Sequence, residues 1–225
     1  MNSEFLIIFD CDGVLVDSEP ITTRVFNGLL AELGIHQTTQ ETMEKYLGRT
    51  MNACYQMIQQ EYNMTIPEHY PQLFLQQCKT EFEKELQPVR GITTVLQTLP
   101  YSSCVASSGR YEKMNITLSL TGLIPYFAGR ILSAQDVERG KPAPDIFLYA
   151  AKRMNYQPHQ CIVVEDSPLG AQAANAANML CIGYAERTPA ERLQQHTPHI
   201  ITTMQQLLPT IEHCIMLLSQ SAPNH

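Results

Sequence analysis

Three features of the sequence predict an α/β fold: a parallel sheet covered by helices on both sides, with a helical insertion after its first strand. Phe5, Leu6, Ile7, Ile8 and Phe9 form an apolar run that meets Asp10, Cys11, Asp12 and Gly13 at once. Such a run is too short to cross a membrane and reads as a buried strand carrying two acids to its carboxyl end. Residues 18–86 then show helical periodicity without strand signals, and from residue 103 short apolar runs alternate with helical segments. Alternation of that kind builds a parallel sheet wound on both faces.

Taken in order, Gly13 lets the backbone leave the first strand sharply. Pro20 opens a helix whose apolar positions, Val25, Phe26, Leu29, Leu30 and Leu33, recur at helical spacing before Gly34. Further helices are expected over 39–47, 51–62 and 68–86, with Thr39 and Thr50 as N-caps. Pro88, Val89, Arg90 and Gly91 break the pattern, and a short helix runs through Val95 and Leu99. Strands are then expected at 103–106, 131–132, 161–164, 180–183 and 200–201, separated by helices over 111–120, 145–154 and 168–177. Gly170 and the alanines after it make the last of these thin enough to pack close to the sheet. The Ile215–Leu218 cluster reads as the end of a packed helix. Residues 1–17 and 87–225 are therefore expected to form one core and residues 18–86 a helical cap. Placed after the first strand, the cap overhangs the carboxyl end of the sheet, where a lid belongs.

The 225 residues carry a net charge of −7 and no run of Lys or Arg, which argues against nucleic acid or an acidic membrane as partner. A small anionic substrate is compatible with that balance when a metal and a few cations gather at one spot. The seven cysteines show no CxxC pair, and Cys11, Cys104, Cys161 and Cys181 fall in or beside expected strands, where a reduced thiol acts as a small hydrophobe. A reducing, cytoplasmic setting follows as the expectation, with no signal peptide in the apolar start. The oligomeric state is left open, a monomer being compatible.

Ligands of open α/β sheets bind beyond the carboxyl ends of the strands, and four polar clusters fall there. Asp10 and Asp12 are the first. A calcium loop is an alternative for that stretch, but Val14 stands where an oxygen ligand is needed. Ser107 and Ser108, before Gly109, offer hydroxyls and helix-leading amides for an anion, although Ser-Ser-Gly also serves as a plain loop. Lys141 precedes Pro142, which restricts it to an extended conformation, and a helix opened by Pro144. Glu165 and Asp166, before Ser167 and Pro168, read either as a helix N-cap or as hard oxygen ligands suited to Mg²⁺.

The order FDCDGVLVDSE at 9–19, Ser107 after a strand, GKPAPDIF at 140–147 and VVEDSPLG at 163–170 resembles the four motifs of the haloacid dehalogenase superfamily. The closest likeness is to its phosphatases and phosphomutases with a helical cap inserted between the first two motifs, on a Rossmann-like core. The resemblance implies that Asp10 is a nucleophile forming an aspartyl phosphate and Asp12 a general acid and base. It also implies that Mg²⁺ is held by Asp10, the Asp12 backbone carbonyl and Asp166, with Glu165 acting through water, and that Ser107, Ser108 and Lys141 bind phosphate.

Within the family, Asp12 argues against halide displacement, since dehalogenases lack the second acid. The helix from Pro20 to Leu33 has no lysine for Schiff-base chemistry. The hinge after the first motif has no His of the kind common in sugar phosphomutases, which favours hydrolysis. Gly48 and Arg49, between two cap helices, lie where this family places a substrate-facing loop, and Arg49 is either a selector of substrate hydroxyls or carboxylate or a solvated loop residue. The expected substrate is a small phosphorylated metabolite, a sugar phosphate or phosphorylated sugar acid. The alternatives are a sugar phosphomutase and a non-catalytic protein that binds a phosphorylated ligand.

Overall fold

The computed structural model describes residues 4–221. Six strands, β1 (Leu6–Phe9), β2 (Ser102–Ser107), β3 (Ile131–Ser133), β4 (Cys161–Glu165), β5 (Leu180–Tyr184) and β6 (His199–Ile201), form one sheet in the order β3-β2-β1-β4-β5-β6. Every neighbouring pair is parallel. The first strand lies in the middle, and the winding direction reverses across it, between β2 on one side and β4 on the other. Such a reversal opens a crevice at the carboxyl ends of the central strands.

Apolar side chains of the strands alternate between two buried layers, as a strand covered on both faces requires. Ile7, Phe9, Ile162, Val164 and Ile182 face helices α5 (Ile92–Thr98), α6 (Tyr111–Leu120), α7 (Ile124–Phe127) and α11 (Leu207–Ser221). Leu6, Ile8, Cys104, Val163 and Cys181 face α8 (Asp145–Met154), α9 (Pro168–Ala176) and α10 (Ala190–Gln194). All seven cysteines are buried free thiols, the role expected of the four placed at strands. In α11 the expectation of a packed end holds for half the cluster: Ile215 and Leu218 pack on the core, whereas Met216 and Leu217 are exposed. Among the described residues no helix is long and apolar enough to cross a membrane.

Four helices precede α5 between β1 and β2: α1 (Glu19–Glu32), α2 (Thr39–Tyr46), α3 (Met51–Tyr62) and α4 (Tyr70–Glu85). They gather around the ring of Phe26, whose centroid lies 5.5, 6.1 and 5.8 Å from those of Tyr46, Tyr55 and Phe74. The N-cap of α2 is Thr38 and not Thr39. The Thr38 hydroxyl accepts from the Glu41 amide, and the Glu41 carboxylate reaches back to the Thr38 amide, a reciprocal pair that a cap one residue later would break. Thr50 caps α3 as expected, accepting from the Ala53 amide. Helix α4 starts at Tyr70 and not at 68, because a turn from Pro67 to Tyr70 precedes it. The chain leaves and re-enters the sheet side by side, with the Asp17 amide donating to the Gln87 carbonyl and the Val89 amide to the Leu15 carbonyl.

The thin helix is α9, where Ala171, Ala173 and Ala174 are fully buried against the sheet. A methyl group on Gly170 would overlap the carboxylate of Glu165. Gly170→Ala is therefore expected to cost about 1–3 kcal/mol of unfolding free energy through overpacking. Urea denaturation would show it as a lower midpoint at unchanged slope.

Candidate active site

Asp10 follows β1 directly, its amide donating to the Val164 carbonyl, and its side chain is buried at the centre of the crevice. Gly13 stands at φ +74°, and a methyl group there would overlap the carboxylate of Asp166. The sharp turn expected at Gly13 thus also lets the end of β4 approach the end of β1. Asp10, Glu165 and Asp166 each offer an oxygen within 4.8 Å of the others, and all three are buried.

Lys141 is the cation among them, with Nζ 2.7 Å from Asp10 Oδ1 and 2.6 Å from Glu165 Oε2. The ammonium also lies 4.9 Å from the Phe147 ring centroid, a favourable cation–π placement. Its loop is fastened by a two-pronged ion pair from Arg139 to Asp145, at 3.1 and 2.8 Å. The second oxygen of Glu165 accepts from the amide and hydroxyl of Ser167, whose hydroxyl also caps α9 through the Gly170 amide. The 165–168 stretch is therefore both an N-cap and part of the acidic cluster.

Burial pushes the Asp10 carboxyl up to about 7, Lys141 opposing and Glu165 reinforcing. Burial, with the charges of Glu19, Glu165 and Asp10, holds Asp166 well above the usual carboxylate range. Three acids with one lysine leave the cluster short of positive charge, and its oxygens are of the hard type that a divalent cation takes. The donor set therefore fits a metal.

Asp12 has a different environment. Its Oδ1 accepts from Lys113 Nζ at 2.6 Å and from the Ser18 hydroxyl, while Oδ2 is turned towards Gly109. Burial acts to raise its pKa, but the Lys113 charge and these hydrogen bonds outweigh it, and the carboxyl lies below its ordinary value. Two acids of one motif are thus held by different lysines from different elements.

Ser107 is the last residue of β2, paired with Ser133, and so lies within the strand and not after it. Its hydroxyl accepts from the Gly109 amide at 3.1 Å, at the floor of the crevice. The Ser108 hydroxyl donates to the Gly48 carbonyl at 3.0 Å, tying the 47–50 loop to the sheet side. Gly48 stands at φ +76°, and a Cβ there would come 2.5 Å from Ser167 Oγ. Arg49 is half-buried in the crevice lining, its Nε donating to the Lys45 carbonyl at 3.1 Å. The crevice, with its open mouth, encloses about 870 Å³ and brings all the expected residues except Glu165 to one wall or another. Glu165 stands behind Lys141.

Lys113 and Glu19 line the same crevice without having been singled out as site residues. A signal for Lys113 was present: a lysine in the first turn of a helix opposes the helix dipole, and an acid partner elsewhere in the chain offsets that. Glu19 gave none, since an acid in a first helical turn is ordinary. Burial, then the charge of Asp12, raises Glu19 to about 8, with Lys113 opposing.

The sequence profile described as haloacid dehalogenase-like hydrolase matches residues 7–184. The chain is 30% identical to the 6-phosphogluconate phosphatase of Escherichia coli, over 77% of this chain and 79% of that protein. It is 28% identical to the E. coli fructose-1-phosphate phosphatase YqaB, over 77% and 92%. Among solved structures, a haloacid dehalogenase-like protein of unknown function from Agrobacterium tumefaciens is 33% identical, covering 93% of this chain and 98% of its own, with a TM-score of 0.79.

The crowded acids make stability depend on pH. An acid whose pKa rises from 3.8 to about 7 on folding contributes stability that is present below 3.8 and lost as pH rises through 7. With metal chelated, the unfolding free energy is expected to fall between pH 5 and pH 8, and Asp10→Asn is expected to flatten that fall. Urea titrations of both proteins at the two pH values measure the difference.

Proposed function

The chain belongs to the haloacid dehalogenase-like hydrolases, and from that membership we propose that it is a magnesium-dependent phosphomonoesterase. Its substrate in this reading is a small phosphorylated metabolite, a sugar phosphate or phosphorylated sugar acid. The observation that carries the reading is the division of labour at the end of β1: Asp10 is held by Lys141 and Asp12 by Lys113. A binding protein needs no such pair, whereas a two-step phosphoryl transfer needs both a nucleophile and a separate acid–base group.

In the first step an Asp10 oxygen attacks phosphorus, the P–O bond to the alcohol breaks, and an aspartyl phosphate forms. Asp12 delivers a proton to the departing oxygen and later removes one from the water that cleaves the acyl phosphate. Since Oδ1 already accepts from Lys113 and Ser18, Oδ2 is the oxygen left to carry that proton. An approaching phosphate dianion raises the proton affinity of Asp12 and so offsets Lys113. Lys141, the Ser107 hydroxyl and the Ser108 amide hold the phosphoryl oxygens as charge moves.

Asp10, Asp166 and the Asp12 backbone carbonyl would hold Mg²⁺, with Glu165 reaching it through water by lone pairs that Lys141 and Ser167 leave free. The ion supplies neutralising charge between carboxylate and phosphate. Residues 18–86 form a cap in this reading, and the loop with Gly48 and Arg49 closes the crevice over the leaving group. The relatives that act on 6-phosphogluconate and fructose 1-phosphate support a sugar-type substrate, and Arg49 offers a cation for a substrate carboxylate.

The test is phosphate release from sugar phosphates, sugar-acid phosphates and p-nitrophenyl phosphate, with Mg²⁺ and with chelator. Release that requires metal and concentrates on one or two compounds is expected; isomerised sugar phosphate in place of free phosphate would make the protein a mutase. Asp10→Asn is expected to lose at least about 10³-fold in kcat with its fold retained by circular dichroism. Asp12→Ala is expected to lose about 10²–10⁴-fold on alkyl phosphates and less on p-nitrophenyl phosphate, whose leaving group needs no proton. Equal losses on both would remove Asp12 from acid catalysis.

A further inference from the structure

Glu19, the first residue of α1, is 8% exposed and lines the crevice between the acid pair and the helical insertion, yet its Oε2 has no hydrogen-bond partner. Three of the four carboxylates around it have partners in the protein: Asp10 and Glu165 share Lys141, and Asp12 has Lys113 and Ser18. Glu19 is also not part of the oxygen cluster that fits a metal, which comprises Asp10, Glu165 and Asp166. The neighbouring threonines are committed elsewhere, the Thr22 hydroxyl donating to the Ser18 carbonyl and the Thr42 hydroxyl to Asn27 Oδ1 at 2.6 Å. A buried carboxyl oxygen without a partner is costly, and at the wall of a ligand crevice the partner is most simply the ligand.

We infer that Glu19 is a specificity-determining residue that binds a hydroxyl of the leaving alcohol and thereby selects polyhydroxylated phosphoesters. A second anionic group of the substrate would be repelled by Glu19, so carboxylate or phosphate at this position is excluded. A hydroxyl both donates and accepts, and so satisfies the carboxyl in either protonation state. Because Glu19 follows Asp12 by only seven residues and shares the crevice with it, the hydroxyl it reads lies close to the ester oxygen. Arg49, from the 47–50 loop, is left to read the farther end of the substrate. The inference rests on the phosphomonoesterase reading and adds to it the residue that reads the substrate's hydroxyls.

The experiment compares kcat/KM for the best hydroxylated substrate of the panel with that for p-nitrophenyl phosphate, which has no hydroxyl on its leaving group. Glu19→Ala is expected to lower the ratio of the two by about 10- to 100-fold, and Glu19→Gln, which keeps an acceptor, to restore most of it. A ratio that stays constant in Glu19→Ala, with equal loss on both substrates, overturns the inference while leaving the hydrolase reading intact. If the unaltered protein cleaves p-nitrophenyl phosphate but no hydroxylated ester better, the inference falls alone. If it releases phosphate from nothing, the phosphomonoesterase reading falls and takes the inference with it.

Discussion

A single ammonium group, that of Lys141, stands between carboxylates that the fold drives together. Parallel pairing of β1 with β4 puts Asp10 and the Glu165–Asp166 pair at adjacent strand ends, and Gly13 removes the side chain that would hold them apart. Without a cation such a cluster would carry an uncompensated buried charge, which costs several kcal/mol. The protein answers with one lysine, fastened by the Arg139–Asp145 ion pair and resting on the Phe147 ring. That supply is partial, and the remaining deficit is of the kind that a divalent cation offsets.

The division between the two acids follows from which segment of the chain supplies the counter-charge. Lys141 approaches Asp10 from the loop before α8, while Lys113 approaches Asp12 from the first turn of α6. Asp10 stays near the neutral range because burial dominates there; Asp12 lies below its usual value because the Lys113 charge, with the hydrogen bonds from Lys113 and Ser18, outweighs burial. Residues two apart in sequence thereby acquire distinct acidities, and distinct tasks can follow from that.

Much of this was legible in the sequence, for physical reasons. The strand at 6–9 and the acids after it show because a strand buried on both faces must be wholly apolar and must end abruptly. The helices at 111–120 and 145–154 show because Gly, Pro and helical spacing bound them, and the structure places them at those residues. What stayed hidden depends on contacts that the sequence does not order. Lys113 and Asp12 are 101 residues apart, and only the parallel pairing of β1 with β2 brings α6 over the first strand. The diversion of the Ser108 hydroxyl to the Gly48 carbonyl, 60 residues away, is likewise a matter of how the insertion leans on the sheet. Thr38 was missed as a cap for the opposite reason: two threonines stand together, and only the reach of Glu41 chooses between them.

The two crossings between sheet and insertion run side by side, hydrogen-bonded from Asp17 to Gln87 and from Val89 to Leu15. Since the chain exits and returns at one place, the sheet registers only that the ends meet, not how much polypeptide lies between them. The insertion can lengthen, shorten or be exchanged for another without altering the pairing of β1 with β2. In evolutionary terms the acids at the strand ends and the helical insertion are separable parts, joined by a seam two strands wide.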